Sequence, residues 1–113
     1  MDMRSLSADF SVSGQIMPHD ISELVGAGIK VIVDNRPDGE IPPDLQSAVM
    51  ADLVMTAGLA FHYVPIVPGQ CGVDEIARMK QILAEAAGPV LAYCRSGARS
   101  THLWSLSADG HAG

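Results

Sequence analysis

The sequence predicts an α/β domain built on a mainly parallel sheet, and three observations carry that expectation. Short β-branched runs alternate with stretches of helical periodicity along almost the whole chain, the order that βαβ crossovers require. Glycine and proline punctuate nearly every transition. A length of 113 residues, 48% of them hydrophobic, fits one core-forming domain over residues 1–113, with no linker and no wholesale disorder.

Phe10-Ser11-Val12 is the first strand candidate, leading into Ser13-Gly14-Gln15-Ile16. Asp20 stands three residues before Glu23, a capping-box spacing, ahead of a short helix carrying Ile21, Leu24 and Val25. Gly26 and Gly28 end it. Ile29-Lys30-Val31-Ile32-Val33 is the strongest strand signal and reads as covered on both faces. The polar stretch from Asp34 to Glu40 is a loop. The next helix is expected to begin near Pro42-Pro43-Asp44, with Leu45, Val49 and Leu53 on its buried face and Gly58 as its stop. Leu59 to Ile66 reads as a strand. A helix from about Val73 to Ala87 carries Ile76, Met79, Leu83 and Ala86 at helical spacing. Gly88-Pro89 turns the chain into the strand Val90-Leu91-Ala92-Tyr93, and a last helix carries Leu103, Trp104 and Leu106. Ser-Leu-Ser-Ala-Asp occurs at residues 5–9 and again at 105–109, too short a match to imply a repeat.

A formal charge of -6 argues against nucleic acid or an anionic membrane as partner, since both need a basic face. No apolar run approaches the roughly 20 residues of a membrane span, and the first residues lack a signal-peptide stretch. Two cysteines make no disulfide scaffold, so a reduced, cytoplasmic setting is expected. His19, His62, His102 and His111 show no metal spacing, and neither a metal nor a cofactor is expected.

Chemistry concentrates after the last strand. Cys94 stands where a strand ends and a helix should begin, the edge at which open α/β sheets bind ligands. Consecutive N–H groups at a helix start form an anion-binding concavity. Flanked by Arg95 and Arg99, Cys94 is expected to be a thiolate at neutral pH. Ser96, Gly97 and Ala98 are small, Gly97 permits a sharp turn, and Ser100 could donate a hydrogen bond to the sulfur or to a leaving group. Read as structure alone, Cys94 would be a buried strand-end cysteine and its arginines surface charges.

Tyr93-Cys94-Arg95-Ser96-Gly97-Ala98-Arg99-Ser100 resembles the active-site loop of rhodanese-type sulfurtransferases and, more loosely, that of cysteine-dependent phosphatases. Phe10 to Gln15, Gly28 to Arg36 and Tyr63 to Ile66 extend the likeness to the phosphatase-like domain of the beta-lactamase hydrolase-like proteins, relatives of the dual-specificity phosphatases. The resemblance spans roughly residues 10–106. It implies a three-layer αβα fold with a four- or five-stranded mainly parallel sheet, Cys94 as nucleophile and residues 95–99 as anion cradle. It also suggests a metallo-β-lactamase-like persulfide dioxygenase as partner, fused or separate, supplying cover that a full phosphatase domain gains from further helices.

Three features weigh sulfur against phosphate. Four residues separate Cys94 from Arg99, one fewer than in the phosphatases, so the loop suits a single sulfur. Tyr93 precedes the cysteine where phosphatases usually carry histidine. The loop Val67-Pro68-Gly69-Gln70-Cys71 holds no carboxylic acid to protonate a leaving oxygen. All three favour a sulfurtransferase that takes sulfane sulfur from a small anionic donor and passes it through a Cys94 persulfide to a thiol acceptor. The alternatives are a phosphatase working through a phosphocysteine on a phosphoryl substrate, and a non-catalytic anion or thiol binder. Asp74 and Asp38 are substitute acids, Asp74 being equally a helix N-terminal charge. Cys71 could serve as a resolving thiol, though an incidental loop cysteine is the simpler reading. Asp34 and Arg36 should share the sheet edge with Cys94, Arg36 adding positive potential or merely fixing the loop with Asp34. Gln15 could likewise reach the rim, plain strand capping being the simpler reading, and Leu103 and Trp104 read as core or a homodimer contact.

Overall fold

The computed structural model describes residues 1–112. A five-stranded sheet runs in the order β1 (Arg4–Ser7), β2 (Phe10–Ser13), β5 (Val90–Tyr93), β3 (Val31–Asp34) and β4 (Ala60–Tyr63). The four inner and far strands β2, β5, β3 and β4 are parallel, and β1 is added antiparallel at the edge with a register shift between Ser5 and Ser7. The parallel register aligns Ser13, Tyr93, Asp34 and Tyr63 in one row at the carboxyl end of the sheet. The row fixes which side chains rim that edge.

Two apolar layers clamp the sheet, as alternation along a strand demands. Val12, Val33 and Ala92 face one side and pack on Met79 and Ile82 of α3 (Val73–Glu85) and Leu103 of α4 (Ala98–Ala112). Ile32, Leu91 and Tyr93 face the other and pack on Ile21 and Leu24 of α1 (Ile21–Gly26) and on α2 (Ser47–Thr56). The expected three-layer αβα architecture with a five-stranded, mainly parallel sheet is therefore present.

Several local expectations need correction. β1 was not anticipated: its Ser-Leu-Ser run has no β-branched residue, and only pairing with β2 makes it a strand. Asp20 does not cap α1 toward Glu23; its Oδ2 accepts the Met17 N–H at 2.8 Å and closes the 3-10 turn Pro18–Asp20. Residues Pro43–Leu45 form a separate 3-10 turn, and α2 starts only at Ser47. That start is capped from a distance, because Asp38 accepts the Ser47 N–H at 2.7 Å and its hydroxyl at 2.8 Å. The later start rotates the helix, so Met50 and Val54 are fully buried while Val49 and Leu53 are exposed. Leu103 is buried and the Trp104 ring stacks on Phe10 at 5.6 Å, so these residues join the core. The Ser-Leu-Ser-Ala-Asp pentapeptide falls in and just beyond β1 at one occurrence and in α4 at the other, which disposes of a repeat. No helix among the described residues is long and apolar enough to cross a membrane.

The α2 assignment is testable by truncation. Met50→Ala should cost about 2–5 kcal/mol of unfolding free energy, whereas Val49→Ala should change it by about 0.5 kcal/mol or less, both read by urea denaturation.

Candidate active site

The loop from Cys94 to Gly97 joins β5, the central strand, to α4. Two glycines let it nest against the end of β2. Gly97 has φ +93°, and a Cβ there would meet the Arg4 guanidinium and lie 3.3 Å from the Ser13 carbonyl. At Gly14 a Cβ would lie 3.0 Å from the Arg95 carbonyl, tighter than nearly all real contacts. Ser96 then caps α4, its Oγ accepting the Ala98 N–H at 3.4 Å.

Cys94 is fully buried, and its sulfur accepts the Gly97 N–H at 3.1 Å. Burial alone pushes the thiol up. The backbone N–H groups of Ser100, Ser96 and Arg99 more than offset it, and the net effect is a thiol below its ordinary value. Ser100 serves the sulfur first through its backbone N–H and, to a smaller extent, through the expected hydroxyl, which Asn35 also engages. Asn35 Nδ2 donates to the Val64 carbonyl at 2.8 Å, so Asn35 Oδ1 faces Ser100 and takes the hydroxyl proton at 2.8 Å. This fully buried chain ties α4 to β3 and to the segment after β4.

Arg99 reaches the same edge and is gripped by a carboxylate absent from the sequence expectations. Its Nη1 and Nη2 donate to Glu40 Oε2 and Oε1 at 2.9 and 2.8 Å, and Nη1 also reaches the Ile66 carbonyl at 2.8 Å. The Arg99 fork holds the Glu40 carboxyl below its usual range, and Glu40 in turn raises Arg99. Arg36 shares this carboxylate at 3.4 Å and donates to Gln15 Oε1 at 3.3 Å. Its charge is thus partly spent on Glu40, and Gln15 reaches the rim instead of merely capping β2. The i,i+4 spacing of Arg36 and Glu40 was the one sequence signal for Glu40.

The other candidates separate. Asp34 accepts the Arg36 backbone N–H at 2.9 Å, so its contact with that residue does fix the loop. Burial pushes Asp34 up to about 7 against an ordinary value of 3.8. It aligns with Tyr93, which packs in the α1–α2 layer, whereas Asn35 turns to Ser100 on the opposite face. The Tyr93 hydroxyl is buried without a hydrogen bond of sound geometry, and burial followed by the Asp34 charge pushes it above the usual phenol range. Asp38 is committed to Ser47. Asp74 lies exposed in the first turn of α3, with no side-chain hydrogen bond. Cys71 lines a cavity of about 300 Å³ with Ile66, Gly69, Ala98, Arg99 and His102. Burial and then Glu75 hold the Cys71 thiol above its ordinary value, which disfavours it as a resolving thiolate. Both cysteines are free. Arg95, Ser96 and Ala98 are exposed on the loop, and Arg4 Nη2 donates to the Ser96 carbonyl at 3.0 Å.

A mainly parallel αβα sheet whose central strand ends in a buried cysteine accepting a loop N–H, with an arginine nearby, is the frame shared by rhodanese-type and phosphatase-like cysteine-loop domains. Within it, the chain belongs to the phosphatase-like domain family of the beta-lactamase hydrolase-like proteins, whose model matches residues 2–111. A beta-lactamase hydrolase-like protein of Agrobacterium fabrum is 32% identical over 85% of the chain. The chain spans only 22% of that relative and about a quarter of its Xylella fastidiosa counterparts. A solved protein of Neisseria meningitidis, described as a candidate phosphatase, is 31% identical, with a TM-score of 0.81 over 89% of this chain and 72% of that one. TpbA of P. aeruginosa, solved with pTyr, shares the fold at 16% identity and a TM-score of 0.70, over 96% of this chain and 64% of its own.

The raised Asp34 carboxyl sets a pH dependence. The folded state holds its proton up to about pH 7 and the unfolded chain loses it near 3.8, so this group costs stability as pH rises through that window. Asp34→Asn should therefore gain on the wild type by on the order of 3 kcal/mol between pH 5 and pH 8. Parallel thermal melts at both values check this, and an unchanged difference would contradict it.

Proposed function

We propose that this domain is a cysteine-dependent phosphatase acting on phosphate monoesters, which reverses the order of the two chemistries expected from the loop sequence. The observation that carries the reading is Cys94 itself: a buried sulfur whose thiol lies below its ordinary value, at the foot of an N–H cradle beside Arg99, in a chain of a phosphatase-like family. The Cys94 thiolate would attack phosphorus in line with the ester oxygen. The S–P bond forms, the P–O bond breaks, and the N–H groups and Arg99 hold the equatorial oxygens. Water then attacks the phosphocysteine, releasing phosphate and restoring the thiolate.

The leaving oxygen needs a proton, and Glu40 is the carboxyl in contact with the anion-binding guanidinium. In the resting site Arg99 and Arg36 hold it ionised. A phosphoryl dianion that takes the Arg99 fork releases Glu40 from that pairing, and its carboxyl then rises toward the range of a general acid. Once it has taken a proton from solvent, Glu40 gives that proton to the leaving oxygen and then accepts one from the attacking water. Glu40 thus fills the place left by the acid-free Val67 to Cys71 loop.

Sulfur transfer stands as the second reading because two features still favour it, the loop of four residues between Cys94 and Arg99 and Tyr93 before the cysteine. A tighter loop suits a single sulfur, and sulfur transfer has less need of an acid because its leaving groups are weakly basic.

Hydrolysis of 4-nitrophenyl phosphate separates the two. Cys94→Ser should abolish turnover, by at least about a thousandfold. Glu40→Gln should lower kcat for an alkyl phosphate by about a hundredfold or more and for 4-nitrophenyl phosphate much less, because nitrophenolate leaves without a proton. A +32 Da adduct on Cys94 after thiosulfate, with no phosphate ester hydrolysed, would instead establish the sulfur reading.

A further inference from the structure

Four of the seven basic residues, Arg4, Arg36, Arg95 and Arg99, gather around the Cys94 loop in a chain of net charge -6. They divide into two pairs. Arg36 and Arg99 share the single carboxylate of Glu40. Arg4 and Arg95 are exposed and meet no carboxylate within salt-bridge distance among the described residues. Arg4 comes from the edge strand β1, crosses the end of β2 and donates to the Ser96 carbonyl at 3.0 Å, with its guanidinium against Gly97. A guanidinium has five N–H donors, and one such bond leaves most of them free. Arg95 follows Cys94 directly, and its backbone is pinned by the close approach of Gly14. Two exposed arginines with no carboxylate within salt-bridge distance among the described residues are thus carried by this loop and by the edge strand that meets it.

We propose that Arg4 and Arg95 form a second anion subsite, and that the preferred substrate is a phosphate ester carrying a second anionic group, phosphate or carboxylate, next to the phosphoryl group attacked. The proposal deepens the phosphatase reading and rests on it for the identity of the first anion. A single phosphoryl group fills the inner site, where Arg99 and the N–H cradle meet its charge. It leaves the outer pair unmatched, and a net charge of -6 disfavours a polyanion over the surface as a whole. Placing two free arginines at this one rim makes it the place where a second negative group is attracted rather than repelled.

The test reads binding without turnover, so it stays independent of the phosphatase reading. Iodoacetamide alkylation of Cys94 is followed by mass spectrometry while orthophosphate or pyrophosphate is titrated in. Pyrophosphate supplies the second anionic group and should protect Cys94 at a concentration at least about fivefold lower than orthophosphate. The Arg4→Gln/Arg95→Gln protein should lose that advantage, with the two anions protecting within about twofold of each other, while protection by orthophosphate stays close to wild type. Lys80→Gln, which removes an exposed charge on α3, should leave the ratio unchanged. Equal protection in the wild type, a ratio that survives in the double variant, or no protection by either anion would overturn the proposal. If pyrophosphate protects as expected but no ester is hydrolysed, the subsite stands and the phosphatase reading falls. Repeating the titration with a phosphonate bearing a carboxylate, against the same phosphonate without it, tells whether carboxylate can serve as the second group.

Discussion

A negatively charged sulfur inside a protein is costly unless something close at hand prefers the charge, and the architecture of this chain follows from meeting that demand at Cys94. The sulfur is fully buried, so water cannot stabilise the anion. Backbone N–H groups must do so, and they converge only where a strand breaks into a helix with its first turn unpaired. That places the cysteine at the end of the central strand, with α4 starting at Ala98. The turn needs a left-handed residue at Gly97 and a residue without Cβ at Gly14. Each of those glycines is set by the sulfur's need for donors.

The same demand explains the buried Ser100–Asn35–Val64 chain. Ser100 presents its N–H to the sulfur only if the first turn of α4 is held in place, and Asn35 holds it by accepting the hydroxyl proton. Asn35 is oriented in turn by the Val64 carbonyl. A neutral hydrogen-bonded chain does this without adding a charge that would compete with the thiolate. The charged groups lie farther out, Arg99 on Glu40 and Arg36 on both Glu40 and Gln15. On the phosphatase reading proposed above, an incoming dianion would exchange with a carboxylate already paired to Arg99, which would lower its net gain but select for anions that grip the fork at least as well.

Most of the frame was legible in the sequence because it depends on local pattern. The runs Ile29 to Val33 and Val90 to Tyr93 are apolar throughout, as buried parallel strands must be, and Cys94-Arg95-Ser96-Gly97 announces a strand-to-helix anion loop. What escaped was set by distant partners. β1 is a strand because β2 accepts it, and Arg4 belongs to the site only through that pairing. Glu40 reaches Arg99 across 59 positions of sequence. The buried face of α2 was misjudged because Asp38, nine residues upstream of Ser47, decides where the helix begins. Loop length, Tyr93 and the acid-free Val67 to Cys71 stretch favoured sulfur, and none of them reports the Glu40 carboxylate paired with Arg99.

The fold makes Cys94 the acidic thiol of this protein and leaves Cys71 above its ordinary value. The rate of iodoacetamide alkylation at each cysteine, followed against pH by mass spectrometry of the native protein, measures both at once. The Cys94 midpoint should fall below that of a free thiol and the Cys71 midpoint above it. Coincident midpoints, or a Cys94 midpoint above that of Cys71, would contradict this ordering.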